Sequence, residues 1–117
     1  MNTVEIKPQI FWVGAKDWNL REFHGYKTQK GTTYNSYLII DEKITLVDTV
    51  KSAHFEQMLS RIKTIIDPSR IDYIICNHAE MDHAGAILKI SELAPNAEII
   101  ASPHGEKYLN SYFLVQP

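Results

Sequence analysis

The stretch that decides the fold reads IDYIICNHAEMDHAGA and runs from residue 71 to residue 86. Its first part, Ile71–Cys76, is a short apolar run and predicts a buried strand. The segment Ala84–Ala94 repeats apolar residues at helical spacing and predicts a helix whose inward side carries Ile87, Ile90 and Leu93. Where a buried strand gives way to a helix, the intervening side chains converge in a crevice at the carboxyl end of the sheet.

Four potential metal ligands lie within six positions of that junction: His78, Glu80, Asp82 and His83. An extended backbone directs the side chains of His78 and Glu80 to one side, and the turn into the helix can bring back the other two. Two imidazoles and two carboxylates suit iron or manganese better than a structural zinc site. The alternative to a metal site is that these residues form the polar start of a helix, with Asp82 as the N-cap and with solvated histidines. We interpret the neighbouring Cys76 as a buried, small apolar residue.

The remaining elements alternate around this junction in a regular order. The patterns predict a strand, a long loop, a hairpin, a helix capped by Ser52 and ended by Pro68, the strand and helix described above, a further strand and a last helix. Such an order is typical of an α+β fold in which helices pack on a mixed sheet. The additional segments are Ile10–Gly14 (strand), Asp17–Thr33 (loop), Tyr34–Ile40 and Lys43–Val47 (hairpin), Phe55–Ile66 (helix), Ala97–Ala101 (strand) and Pro103–Tyr112 (helix).

Composition limits the class of protein. The chain has 117 residues, 44% of them hydrophobic and 22% charged, which is typical of one small globular domain. A net charge of −2 without a basic run gives no reason to expect nucleic acid or a membrane as partner. Residues Met1–Pro8 lack the apolar core of a signal peptide, and the single cysteine fits a reducing compartment, so we expect a cytoplasmic protein.

Further motifs follow one another along the chain. They are Trp12-Val13-Gly14-Ala15 with Asp17-Trp18, Phe23-His24-Gly25, the run GTTYNSYL at 31–38, LVDTV at 46–50, and DHAGA at 82–86. Together with the loop at 78–83, they resemble the amino-terminal part of the metallo-β-lactamase-like domain of flavodiiron proteins, the rubredoxin:oxygen oxidoreductases or A-type flavoproteins. Glu80 distinguishes the flavodiiron pattern from that of the hydrolases of the same superfamily, which have histidine at this position.

This resemblance implies a fold and a set of roles. The fold would be the amino-terminal half of an αββα sandwich, with His78, Glu80 and Asp82 as iron ligands and His83 as a ligand in some members. Asp48 would brace the metal loop, and His24 would approach the diiron pocket and hydrogen-bond the bound gas or its product. Trp18, Arg21 and Tyr26 share the loop of His24, where a packing role is equally open. His54 and His104 match no ligand position of the family. We expect His54 to be a surface residue and His104 to be a turn residue.

The resemblance also implies an activity. Flavodiiron enzymes reduce dioxygen to water, or nitric oxide to nitrous oxide, with electrons that a rubredoxin-like donor delivers through FMN. In the family, further iron ligands and a flavodoxin-like FMN domain follow the segment matched here, and the enzyme is a head-to-tail homodimer. We therefore expect residues 1–117 to form a partial diiron domain that holds half of the iron site, has no FMN-binding segment and is inactive alone. Two irons need roughly six protein ligands.

Two other functions remain open from the sequence. One is a zinc-dependent hydrolase of the same fold, and the other is a non-catalytic remnant that oligomerises through an open sheet edge. Neither the preferred gas nor the electron donor can be read from these residues.

Overall fold

The computed structural model describes residues 2–17, 22–23, 26–27, 32–77 and 85–112. Several of the predicted site residues lie outside these ranges, namely the candidate ligands His78, Glu80, Asp82 and His83, the candidate catalytic His24, and its neighbours Trp18 and Arg21. The structure therefore shows the framework that flanks these site residues in the sequence.

A six-stranded mixed sheet forms the centre of the fold, in the order β1-β2-β7-β8-β9-β10. The first four strands pair antiparallel, whereas β8, β9 and β10 run parallel. The predicted hairpin is confirmed as β7 and β8, and the two strands predicted after it are confirmed as β9 and β10. The predicted burial of β10 was wrong in part, because Glu98 and Ile100 are exposed. The bounds are β1 Val4–Lys7, β2 Ile10–Trp12, β7 Tyr37–Ile40, β8 Ile44–Val47, β9 Tyr73–Cys76 and β10 Glu98–Ala101.

Two short strands lie within the stretch that the sequence predicted as one long loop, and two more overlap its ends. Strand β3 (Ala15–Asp17) pairs antiparallel with β6 (Thr32–Tyr34), and β4 (Glu22–Phe23) pairs with β5 (Tyr26–Lys27). The loop prediction was wrong in this respect, because strands of two or three polar and aromatic residues show no apolar alternation. The pair β3 and β6, called the stem below, lies at the two ends of segment 18–31.

Within the described ranges, three α-helices accompany the sheet: α1 (Phe55–Lys63), α2 (Ile87–Leu93) and α3 (Pro103–Tyr112). The predicted bounds of α3 are confirmed. Helix α1 follows a 3-10 turn at Ser52–His54, and no side chain caps it, so the predicted Ser52 cap was wrong. None of the helices in the described ranges is long and apolar enough to cross a bilayer.

Helix α1 ends earlier than Pro68, the residue predicted to end it. The last turn tightens at Thr64, whose hydroxyl donates to the carbonyl of Arg61 at 2.6 Å. Ile65 and Ile66 lie beyond the helix and still pack against the core. The apolar stripe continues into the turn after the helix, where the N–H groups of Ile65 and Ile66 still donate to the Ile62 carbonyl at 2.9 and 3.0 Å, which is why the pattern predicted a longer helix.

One hydrophobic core lies between the sheet and the helices. Inward residues of neighbouring strands, such as Leu38, Leu46 and Ile74, are fully buried, and Met58 and Ile62 of α1 pack on them. Alternation along β8 and β9 buries every second side chain, as expected for strands with one face on the core. The ends of the parallel strands are thereby fixed, and the site is predicted from the sequence to lie at those ends.

One inward residue was predicted wrongly. Leu93 is 41% exposed, whereas Ile87 and Ile90 are buried. At about 100° per residue, Leu93 lies roughly 120° around the helix from Ile87, while Ala94 returns to the direction of Ile87 and is buried.

This difference gives a test of the packing. Replacing Ile90 with alanine should lower the free energy of unfolding by about 3 kcal/mol, because the side chain leaves a cavity in the core. The matched change Leu93→Ala should cost less than about 1 kcal/mol, as an exposed side chain loses little burial. Urea unfolding followed by circular dichroism measures both, and equal losses would contradict the described orientation of α2.

Candidate metal centre

Asp48 is held at the carboxyl end of β8 by contacts to β9, to the residue that follows β9 and to the residue that precedes β7. Its N–H donates to the carbonyl of Ile75 at 2.7 Å, and its carbonyl accepts from the Ser36 hydroxyl at 2.8 Å. Its carboxylate oxygen Oδ1 accepts the backbone N–H of Asn77 at 2.8 Å. The side chain is buried, and its φ of 60° is left-handed, a conformation that aspartate tolerates better than most residues. An observed outlier of this kind is typical of functional sites.

Both ends of segment 78–84 are bonded to the three residues that follow β8. On one side, the N–H of Asn77 binds Asp48, and on the other the N–H of Ala86 donates to the carbonyl of Val50 at 3.0 Å. Asn77 and Ala86, the bonded residues on either side of segment 78–84, therefore both lie beside Asp48–Val50. This arrangement lies at the carboxyl ends of the parallel strands β8 and β9, where the sequence predicted the crevice.

Cys76 is the last residue of β9 and is buried, as predicted. Desolvation of the thiolate, and then the nearby negative charge of Asp48, raise the pKa of Cys76 to about 11. The thiol therefore stays protonated at neutral pH in the metal-free chain.

Alkylation measures this protection. In the metal-free native chain at pH 8, iodoacetamide should modify Cys76 about 100-fold more slowly than in the urea-unfolded chain, because only the thiolate reacts. Since the pKa is higher in the folded state, folding stability is intact below pH 9 and should fall as the pH rises towards 11. Equal alkylation rates in the folded and unfolded chains would contradict both the burial and the raised pKa.

The framework can be tested for its fit to an iron pair. Within the described ranges, no three side chains of His, Cys, Asp or Glu come together as a metal-binding group. The described residues alone therefore supply no such group, and the candidate donors are the imidazoles and carboxylates of segment 78–84, which are suitable for iron. Asp48 fits the outer role, since its carboxylate fixes the backbone at the start of this segment. The residues present thus fit a carboxylate- and histidine-bound metal.

A second polar cluster lies at the stem, and no pattern in the sequence predicted it. His54, predicted to be a surface residue, is half-buried, with its Nε2 3.8 Å from Asp17 Oδ2. The Tyr34 hydroxyl donates to the same carboxylate oxygen at 3.1 Å, and the Tyr34 and His54 rings lie 5.3 Å apart. His54 and Asp17 are 37 positions apart in the sequence, and no local pattern around either residue indicates a contact between them. His104, by contrast, is exposed in the first turn of α3.

Comparison with known proteins places the framework in a defined group. The pattern of the family described as ODP family beta lactamase matches residues 32–116. The chain is 46% identical to a nitric oxide reductase of Moorella thermoacetica over 112 residues, which are 94% of this chain and 28% of that protein. It is also 46% identical to the flavo-diiron protein FprA2 of Clostridium acetobutylicum, covering 95% of this chain and 28% of that protein.

Solved structures agree with this grouping. The rubredoxin oxygen:oxidoreductase from the anaerobe Desulfovibrio gigas superposes with a TM-score of 0.92 at 42% identity, over 98% of this chain and 29% of that one. The mixed sheet with its helices is thus the metallo-β-lactamase-like fold, as predicted. The chain spans less than a third of the length of these relatives.

Proposed function

Because the chain belongs to the flavodiiron protein family and carries the amino-terminal part of its metallo-β-lactamase-like domain, we propose that it supplies half of a non-haem diiron site. The whole protein would reduce dioxygen to water, nitric oxide to nitrous oxide, or both. The relatives are named for both activities, a nitric oxide reductase and a rubredoxin oxygen:oxidoreductase.

The observation that carries this proposal is the double attachment of segment 78–84 to the residues after β8. Asn77 and Ala86 bind Asp48 and Val50, so the four candidate ligands are confined between two fixed points beside a buried carboxylate. A polar helix start capped by Asp82 would not need such a buried brace.

The roles of the chain's own residues follow from this framework. His78, Glu80 and Asp82 would hold iron, with His83 either as a further ligand or as a close neighbour. Asp48 would orient the start of the loop through the N–H of Asn77. His24 would donate a hydrogen bond to the bound gas or its product. When bound, the iron pair supplies electrons to the gas.

The remaining components would come from outside residues 1–117, which would be a partial diiron domain without an FMN-binding segment. Electrons would come from a rubredoxin-like donor through FMN held by a flavodoxin-like domain, in a cytoplasmic homodimer. The rubredoxin in the name of the Desulfovibrio gigas protein supports such a donor. The remaining iron ligands would likewise lie outside this chain, which would be inactive by itself.

A change of one ligand tests the proposal. Replacing Glu80 with histidine gives the residue found in the zinc hydrolases of the superfamily and should raise the affinity for Zn²⁺ relative to Fe²⁺ by about tenfold. Anaerobic competition dialysis of the purified chain measures the ratio. Glu92→His is the matched control, since Glu92 is exposed on α2.

The outcomes separate the competing functions. An unchanged ratio in Glu80→His would show that residue 80 is not a ligand, and an unmodified chain that takes zinc with hydrolase activity would favour the hydrolase. A folded oligomer that binds neither metal would favour a non-catalytic remnant.

A further inference from the structure

The central sheet has two faces, and the described helices pack on one of them. Residues of all three helices belong to a single hydrophobic core, among them Met58 of α1, Ile90 of α2 and Leu109 of α3. The same core contains Leu46 of β8 and Ile74 of β9. Because side chains alternate along a strand, the residues between these inward positions project to the opposite face, called the outer face below.

The middle of the outer face is apolar. The strand register places Tyr37 of β7, Val47 of β8, Ile75 of β9 and Ile100 of β10 side by side in one row. None of the four belongs to the core or packs against it, and none is buried. Ile100 is 43% exposed. A sheet face of this composition is typical of one that packs against another layer of protein.

A second row on the outer face crosses the whole sheet and is charged only at its two ends. A bulge between Glu5 and Lys7 brings Lys7 into register with Ile10. Both end residues are exposed, and neither side chain has a hydrogen bond or an ion pair with another described residue. From β1 to β10, the members of the row are Lys7, Ile10, Ile39, Thr45, Tyr73 and Glu98.

Opposite charges at opposite ends make the outer face complementary to a copy of itself. If a two-fold axis runs along the strands, β1 of one copy lies over β10 of the other, and Lys7 of each copy faces Glu98 of its partner. Face-to-face sheets lie about 10 Å apart, a distance that extended lysine and glutamate side chains span together. An axis across the strands would instead place both charges on apolar residues. Charge complementarity therefore favours the first arrangement.

The size of the outer face suits a partner of moderate affinity. Six strands that lie about 4.8 Å apart, each about four residues long, present a face of roughly 25 by 13 Å. An apolar patch of a few hundred Å² is typical of an interaction site, and it lies at the low end of the areas found in protein interfaces. Dissociation of the pair is therefore expected in the micromolar range.

We propose that the outer face docks onto the outer face of a second copy of this chain, in a closed two-fold dimer. Pairing of identical faces ends with two copies, whereas addition of β1 to the β10 edge of the next chain would continue into longer assemblies. The dimer therefore differs from an oligomer formed through an open sheet edge. It involves residues 1–117 alone and does not depend on bound iron, so it goes beyond the proposed function.

Ile100→Lys tests the apolar part of the interface. Sedimentation equilibrium of the metal-free chain, across the micromolar concentration range, should show monomers and dimers only. In Ile100→Lys the dissociation constant should rise tenfold or more, because the dimer would bury an unpaired charge. Leu88→Lys is the matched control, since Leu88 is 44% exposed but lies on α2, on the other side of the sheet. Its dissociation constant should match that of the unmodified chain.

Reversal of the end charges tests the arrangement of the two copies. Lys7→Glu and Glu98→Lys should each raise the dissociation constant about tenfold, because each places like charges opposite one another at both ends of the dimer. The double variant restores opposite charges and should return to within about threefold of the unmodified chain. Glu92→Lys, at an exposed position of α2, should have no effect.

Several results would overturn the proposal: a chain that stays monomeric, assemblies that grow beyond the dimer, a dimer indifferent to Ile100→Lys, or a double charge variant as weak as the single ones. A monomeric chain that bound iron would refute the dimer and leave the proposed function standing. A chain that dimerised as described but bound no iron would do the reverse.

Discussion

Replacing Asp48 with alanine should lower the free energy of unfolding by about 3 kcal/mol and weaken ferrous iron binding by about 10- to 100-fold. The change leaves the Asn77 N–H without its carboxylate partner. It also places alanine at a φ of 60°, which costs about 1 kcal/mol more than it does for aspartate. The loss of iron follows because the start of segment 78–84 is no longer fixed.

Asp48→Asn provides the matched control for this prediction. Asparagine tolerates the left-handed conformation, and its amide oxygen can accept the same N–H. Stability should therefore stay within about 1 kcal/mol of the unmodified chain. Urea unfolding and anaerobic equilibrium dialysis measure the two properties. If Asp48→Ala bound iron as tightly as the unmodified chain, the bracing role would be refuted.

Gly14→Ala should be the most damaging small substitution in the stem region, with a loss of about 3 kcal/mol. A Cβ at this position would lie 2.0 Å from the carbonyl oxygen of Tyr34, a backbone atom of β6. It would also approach the N–H of Ser36 at 3.1 Å, so the chain cannot relieve the overlap by moving one side chain. The stem and the first strands would have to separate.

Gly105→Ala tests whether any added methyl group has this effect. Gly105 lies in α3, where a Cβ would meet only the Ser102 hydroxyl at 3.2 Å and the Ala101 side chain at 3.4 Å. Alanine also favours the helix by about 1 kcal/mol relative to glycine. The free energy of unfolding of Gly105→Ala should therefore lie within about 1 kcal/mol of that of the unmodified chain. Thermal unfolding compares the two, and equal melting temperatures for Gly14→Ala and the unmodified chain would contradict the described close approach.

The central sheet could be predicted largely because its strands carry strong local signals. Strands β8 and β9 consist almost entirely of apolar residues, with Leu46 and Ile74 fully buried, and such short runs are visible in the sequence. Strand β1 was missed because all four of its residues are exposed, so no burial pattern marks it. The end of α1 was missed for the opposite reason, since Ile65 and Ile66 are packed on the core without being helical.

Of the site, the sequence predicts the chemistry and the place in the fold, and both stay predictions for His78, Glu80, Asp82 and His83. The spacing of His78, Glu80 and Asp82 after a buried strand indicated metal ligands at the carboxyl end of the sheet. The attachment of Asn77 to Asp48 joins residues 29 positions apart, and only the resemblance pointed to it. Contacts such as Gln57 with Lys16 depend on how α1 lies against β3, for which no local pattern exists.

The most direct test of the account is the ferrous iron affinity of single-ligand variants, measured by anaerobic equilibrium dialysis of the purified chain. Iron binding should weaken by about 100-fold or more in each of the variants His78→Ala, Glu80→Ala and Asp82→Ala. This loss is larger than the one expected when a residue that only supports the ligands is changed. His104→Ala, at an exposed histidine, should bind iron as the unmodified chain does. Iron binding that is unchanged in all three ligand variants would contradict the assignment of a half diiron site to residues 78–83.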